Sequence, residues 1–61
     1  MKKINEGNTV GFVVGEVTLY GEVEKVEVIE DRMYYTIYAN HKFYRHVEES
    51  RIIHNYGVLY E

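Results

Sequence analysis

The chain has 61 residues, seven of them tyrosine, with a formal net charge of −3 and no cysteine, tryptophan or proline. A chain of this length buries only about 60% of the surface its unfolded form exposes, which allows one domain with one core. The absence of cysteine excludes a disulfide framework and thiolate metal sites, and the mild acidity argues against general affinity for nucleic acid or anionic membranes.

With no such staple, self-association into a homodimer is a remaining way to add buried surface. The cysteine-free composition fits a reducing compartment, so a cytoplasmic protein is expected. Met1-Lys2-Lys3 is basic, but glycine and polar residues follow where a signal peptide would continue with an apolar stretch. Apolar runs such as Phe12-Val13-Val14 fall far short of the roughly 20 residues a membrane helix needs, so no membrane partner is expected.

In chain order, Gly7-Asn8-Thr9-Val10 reads as a turn that delivers a first strand, with Val10, Phe12 and Val14 on one face. Gly15-Glu16 breaks that run, and Val17 to Gly21 reads as a loop or short strand folded over one end of the domain. Gly21 then opens a second strand. Val23 lies on the opposite parity from Val26 and Val28, which predicts a bulge near Glu24-Lys25. Ile29 to Met33 reads as a hairpin turn, after which Tyr35, Ile37 and Ala39 alternate with Tyr34, Thr36 and Tyr38. Asn40-His41 supplies the next tight turn, and Phe43 to Val47 returns antiparallel. Val47 to Ser50 predicts one tight helical turn, and Arg51 to His54 a last strand that closes the sheet on itself.

The Gly-Asn-Thr-Val lead-in, the kinked Gly-Glu-Val-Glu-Lys-Val strand, the Tyr-Tyr-Thr-Ile hairpin strand and the Val-Glu-Glu-Ser-Arg-Ile closing turn together resemble an SH3-like small barrel of the Tudor and KOW kind. The resemblance spans roughly residues 7 to 54 and implies an all-β fold. The expected architecture is a single five-stranded SH3-like barrel domain over residues 1–61, with a short 3-10 turn before the last strand and a C-terminal tail from 55 to 61. Barrels of this class bind peptides, methyl-lysine, RNA, DNA or ribosomes, so the resemblance implies a fold and not a task. A proline-peptide groove needs the tryptophan and proline that are missing here. A cation cage would have to draw on Phe12, Tyr20, Tyr34 and Tyr38.

Charge is segregated along the chain. Glu16, Glu22, Glu24, Glu27, Glu30 and Asp31 face Lys25 alone, whereas from Arg32 to His54 the cations Arg32, Lys42, Arg45 and Arg51 and three histidines face only Glu48 and Glu49. Either cross-strand pairs cancel this asymmetry, or it brings acidic and basic edges of neighbouring subunits together. Tyrosine offers a large rigid contact area with a polar tip. Tyr20, Tyr34, Tyr38, Tyr56 and Tyr60 are therefore the expected contact set for a protein partner, with Arg45 and Arg51 as secondary anchors. The alternative is a nucleic-acid site on residues 40–46, in which Lys42 and Arg45 meet phosphates and Tyr44 stacks on a base. A variant of the protein-binding reading uses Glu22, Glu24, Glu27, Glu30 and Asp31 as a nucleic-acid mimic.

Catalysis is not expected. His41, His46 and His54 with Glu48 and Glu49 do not have the spacing of a metal site, Ser50 lacks a nucleophile turn, and adjacent acids point apart. No metal or other cofactor is expected either. The sequence therefore predicts a small non-catalytic protein-binding module, an inhibitor or adaptor of the kind phages and plasmids encode, which docks through a tyrosine-bearing sheet face or an edge strand.

Overall fold

Three two-residue reversals divide the chain into hairpins. The computed structural model describes residues 3–59 and places these reversals at Gly15-Glu16, Glu30-Asp31 and Asn40-His41. They join β1 (Thr9–Val14), β2 (Val17–Ile29), β3 (Arg32–Ala39) and β4 (Lys42–Glu48), and a 3-10 turn over Glu49–Arg51 leads into β5 (Ile52–Gly57). In the last two hairpins both turn residues take positive φ, 50° and 67° at Glu30 and Asp31, 53° and 64° at Asn40 and His41. Such turns match the right-handed twist of the strands they connect.

All the strands are antiparallel and form one sheet in the order β4-β3-β2-β1-β5. β4 and β5 are its edges, and no backbone ladder joins them among the described residues. The expected closed barrel is therefore not completed by hydrogen bonds. The sheet nevertheless curls, because the rings of Phe12 on β1 and Tyr44 on β4 meet edge to face at 5.5 Å although two strands lie between them.

Inside the curl are Ile4, Val10, Phe12, Val23, Tyr35, Ile37, Ala39, Val47 and Ile52, with Leu19, Val26, Met33 and Tyr44 packed against them. Burying each large apolar side chain is worth about 1.5–3 kcal/mol, so this cluster is the main source of stability. Tyr35, Ile37 and Ala39 are all buried, as the reading of β3 expects, but Thr36 between them is buried too and Tyr34 is half-buried, so of the other three only Tyr38 is exposed. The bulge expected near Glu24 is present: Val23 faces Ile37 and Lys25 faces Thr36, leaving Glu24 as the extra residue. A second bulge sets Arg45 and His46 opposite Thr36, and His46 adopts a φ of 57° there.

Two segments differ from the sequence expectation. Val17 to Gly21 takes the strand alternative of that reading, yet not as a separate short strand: it is the start of β2, which runs unbroken for 13 residues because its first half pairs with β1 and its second with β3. Gly21 sits where those ladders meet, and its role is close approach, not strand opening. A Cβ placed there would lie 2.3 Å from the Tyr38 carbonyl oxygen and 2.7 Å from the Ala39 Cβ. At the other end, β5 continues to Gly57, so Asn55 and Gly57 of the expected tail pair with β1 and Tyr56 between them is the extra residue of a bulge.

The N-terminal segment is fastened by an asparagine cluster. The Asn5 N–H donates to Asn8 Oδ1 at 2.9 Å, and Asn55 Nδ2 donates to the same oxygen at 3.1 Å. Buried Asn8 thereby satisfies its acceptor while linking the lead-in to β5. The backbones of Gly7 and Asn8 also bond Val23, which extends the edge of β2 by one pair.

The crossing of β2 and β3 at Gly21 gives a direct test of this packing. Gly21→Ala is expected to lower unfolding free energy by about 3 kcal/mol, because backbone cannot yield as a side chain can. Urea denaturation checks it, and a loss below about 0.5 kcal/mol would contradict the close approach.

Candidate functional site

Once β3 commits one face to the core, its other face carries Tyr34, Thr36 and Tyr38. Register then fixes their neighbours. Tyr38 lies between Glu22 on β2 and Phe43 on β4, and Tyr34 lies between Glu27 and Glu48. On β2, Tyr20 is two residues before Glu22 and so falls diagonal to Tyr38 on the same outer face.

The outer aromatics form two local clusters along this register. Tyr38 and Phe43 stand 4.9 Å apart between ring centroids, and the Arg45 guanidinium lies 5.4 Å from the Phe43 centroid. Across β1, Tyr20 and Tyr56 are 6.2 Å apart and Tyr56 contacts the His54 ring at 4.2 Å. Gly11 on β1 makes the second cluster compact, since an added Cβ would meet the Tyr20 ring at 3.0 Å. A bare backbone thus serves as the bed on which Tyr20 lies. Tyr20 is 59% exposed, Tyr56 47%, Phe43 48% and Tyr38 38%, with exposed Ile53 beside them on β5. They form a discontinuous band of two clusters on the outer face, one over β3 and β4 and one over β2 and β5, with Glu22 next to Tyr38 on the side toward the second.

Tyr34 behaves differently. It is half-buried, edge-on to the His46 ring at 6.1 Å, and His46 Nε2 approaches Glu27 Oε1 at 4.0 Å. The bulge turns His46 to where it covers that ring, so the expected equivalence of Tyr34 and Tyr38 does not hold. Phe12, one of the residues considered for a cation cage, is fully buried. Tyr20, Tyr34 and Tyr38 have different ring partners and do not converge.

Of the other expected contact residues, Arg45 and Arg51 are exposed and share a groove between β1 and β4. Tyr60 lies outside the described residues. For the nucleic-acid alternative, Lys42 Nζ sits 5.3 Å from the Tyr44 centroid, but Tyr44 is half-buried and its ring packs against Phe12. His41 is in a turn, His46 is beside Glu27 and His54 is against Tyr56, so the three histidines are dispersed. A shallow cavity of about 340 Å³ beneath the β2–β3 turn has Asp31, Tyr34, Glu48, Glu49 and Ser50 in its walls. Its acids and serine are solvent-exposed and no nucleophile–base pair forms there.

The fold perturbs the titration of Tyr35. Burial raises its phenol above the ordinary value near 10, and the negative charge and hydrogen bond of Glu49 add to the shift, the hydroxyl donating to Oε1 at 3.2 Å. This group is structural, since its ring belongs to the core. Comparisons with protein-family models, with curated proteins and with solved structures find no match. No helix is long and apolar enough to cross a membrane among the described residues.

The Tyr35 shift has a definite sign in stability. Its folded-state value is the higher one, so its contribution is complete below pH ~10 and is lost as pH rises through the folded-state value. Thermal melts between neutral pH and strong alkali are expected to show stability falling above pH ~10, with a shallower fall in Tyr35→Phe. Parallel profiles for the two proteins would contradict the assignment.

Proposed function

We propose that this chain is a small, non-catalytic protein-binding module of the SH3-like barrel class, docking through the aromatic band on its outer face. The observation that carries this reading is the exposure of Tyr20, Tyr38, Phe43 and Tyr56 on one side of the sheet. Rings in that position contribute nothing to the core, and large aromatics with an arginine at the margin are the residues that dominate protein interfaces. The strand order, with a 3-10 turn before the last strand, supports the barrel class.

The band favours a protein over a small ligand because its rings lie side by side across a sheet and enclose no deep pocket. It also favours a protein over nucleic acid. Tyr44, which the nucleic-acid reading needs for stacking, is engaged with Phe12, while Glu22 stands next to Tyr38. An adaptor or inhibitor that blocks a larger assembly, encoded by a phage or plasmid and acting in the cytoplasm, suits a module of this size.

Capture of a partner from the native host tests the proposal. Tyr20→Ala, Tyr38→Ala and Tyr56→Ala, each shown to be folded by circular dichroism, are expected to weaken capture by roughly tenfold or more. Tyr34→Ala is expected to have the smaller effect. Undiminished capture by all of the outer-face variants would reject the surface, and tight oligonucleotide binding with a steep salt dependence would replace it with the nucleic-acid reading.

A further inference from the structure

Two features of the sheet complement each other, and only the margin of the aromatic band, Phe43 and Arg45, reaches either of them. The first is the seam where the curled sheet stays open, a groove of about 300 Å³ walled by Val13, Val14, Phe43, Arg45, Val47 and Arg51. The chain has ten acidic residues, yet none lines this groove. Neither arginine is paired with a carboxylate among the described residues. Along one side runs the edge of β4, whose outward backbone groups have no strand to bond among the described residues.

The second feature is the far half of β2. Pairing with β1 ends at Glu22 and the N-terminal loop bonds Val23, so from Lys25 to Ile29 the strand has β3 on one side and, among the described residues, no strand on the other. Val28 is 64% exposed and Ile29 41%. Between Glu24 and Asp31 there are four carboxylates and one ammonium, Lys25, and Glu27 neutralises that ammonium at 3.7 Å. An acidic free edge with exposed aliphatics and a basic free edge beside an apolar groove are thus present in the same molecule.

Within one copy β3 stands between them, so only a second copy can bring them together. We infer that the chain associates with itself by strand addition, the acidic β2 edge of one copy lying along the β4 edge of the next. Backbone hydrogen bonds form between the two edges, an aliphatic side chain of the Val28-Ile29 pair enters the groove, and the carboxylates at the hairpin end meet Arg45 and Arg51. Main-chain pairing supplies affinity in such contacts, while the alternate side chains and the charges set which edge is accepted. The contact is head-to-tail, so it grows with concentration, and it shares Phe43 and Arg45 with the aromatic band while leaving Tyr20 and Tyr56 free for a different partner.

Sedimentation velocity over a concentration series at low salt tests this inference independently of the proposed function. The average mass is expected to rise with concentration, with an apparent dissociation constant about tenfold weaker at high salt. Arg45→Glu with Arg51→Glu, and separately Glu30→Lys with Asp31→Lys, should each give a monomer, and mixing these two variants should restore association. Val28→Asp tests the same edge without altering the turn and should also give a monomer. A wild-type protein that stays monomeric at every concentration would overturn the inference, as would association that survives both charge reversals or fails to return on mixing. Association abolished by Tyr20→Ala with Tyr56→Ala but not by the charge reversals would also overturn it, assigning self-contact to the aromatic band. Loss of partner capture in the tyrosine variants with self-association intact would separate the two surfaces.

Discussion

Tyr35, Ile37 and Ala39 must leave water together, and because side chains alternate along a strand, Tyr34, Thr36 and Tyr38 are thereby turned to the other face, where Thr36 is covered, Tyr34 half-covered and Tyr38 exposed. A slip of one residue in β3 would expose the first set and drive the second into the core, so the register is held by the burial of those three side chains. Every neighbour of the outer tyrosines follows from that register. Phe43 stands beside Tyr38 because β4 pairs with β3 there, and Tyr20 is diagonal to Tyr38 because Gly21 allows β2 to cross close over the Tyr38 carbonyl. The aromatic band is therefore a consequence of core packing on the opposite face, not an arrangement of its own.

Curvature decides what the edges offer. The bulge at Glu24 bends β2 so that its halves serve two ladders, and the bulge at Arg45-His46 turns β4 toward β1. Together they wrap the sheet far enough for Phe12 to touch Tyr44 but leave the outer edge of β4 without a strand partner among the described residues. His46 is held in left-handed backbone there, a conformation that disfavours side chains other than glycine and that brings its ring over Tyr34. The same bend that hides one tyrosine opens the groove containing Arg45 and Arg51.

Much of the fold was legible because it is written at short range. The alternation in β3 and the parity change between Val23 and Val26 need only a few residues of context, and Asn40-His41 and the turn after Val47 announce themselves locally. What escaped depends on residues far apart in the chain. Gly21 looks like a break until the backbone of Tyr38 is seen against it, and Val17 to Gly21 is a strand because β1 pairs with it. Ile4 and Asn8 join the structure through contacts with the core and Asn55, which no periodicity signals. Of the expected contact residues, Tyr20, Tyr38 and Tyr56 are open while Tyr34 is covered by a histidine whose position depends on a bulge. Phe12 and Tyr44 were ambiguous for the same reason, since their meeting requires the whole curl of the sheet.

Residue-resolved nitration of the native protein, read by mass spectrometry, tests the sidedness of β3 most directly. Rapid modification is expected of Tyr20, Tyr38 and Tyr56, with Tyr35 protected until the protein unfolds. Modification of Tyr35 in the folded protein at the rate of Tyr38, or protection of Tyr38 together with Tyr35 in the monomer, would contradict it.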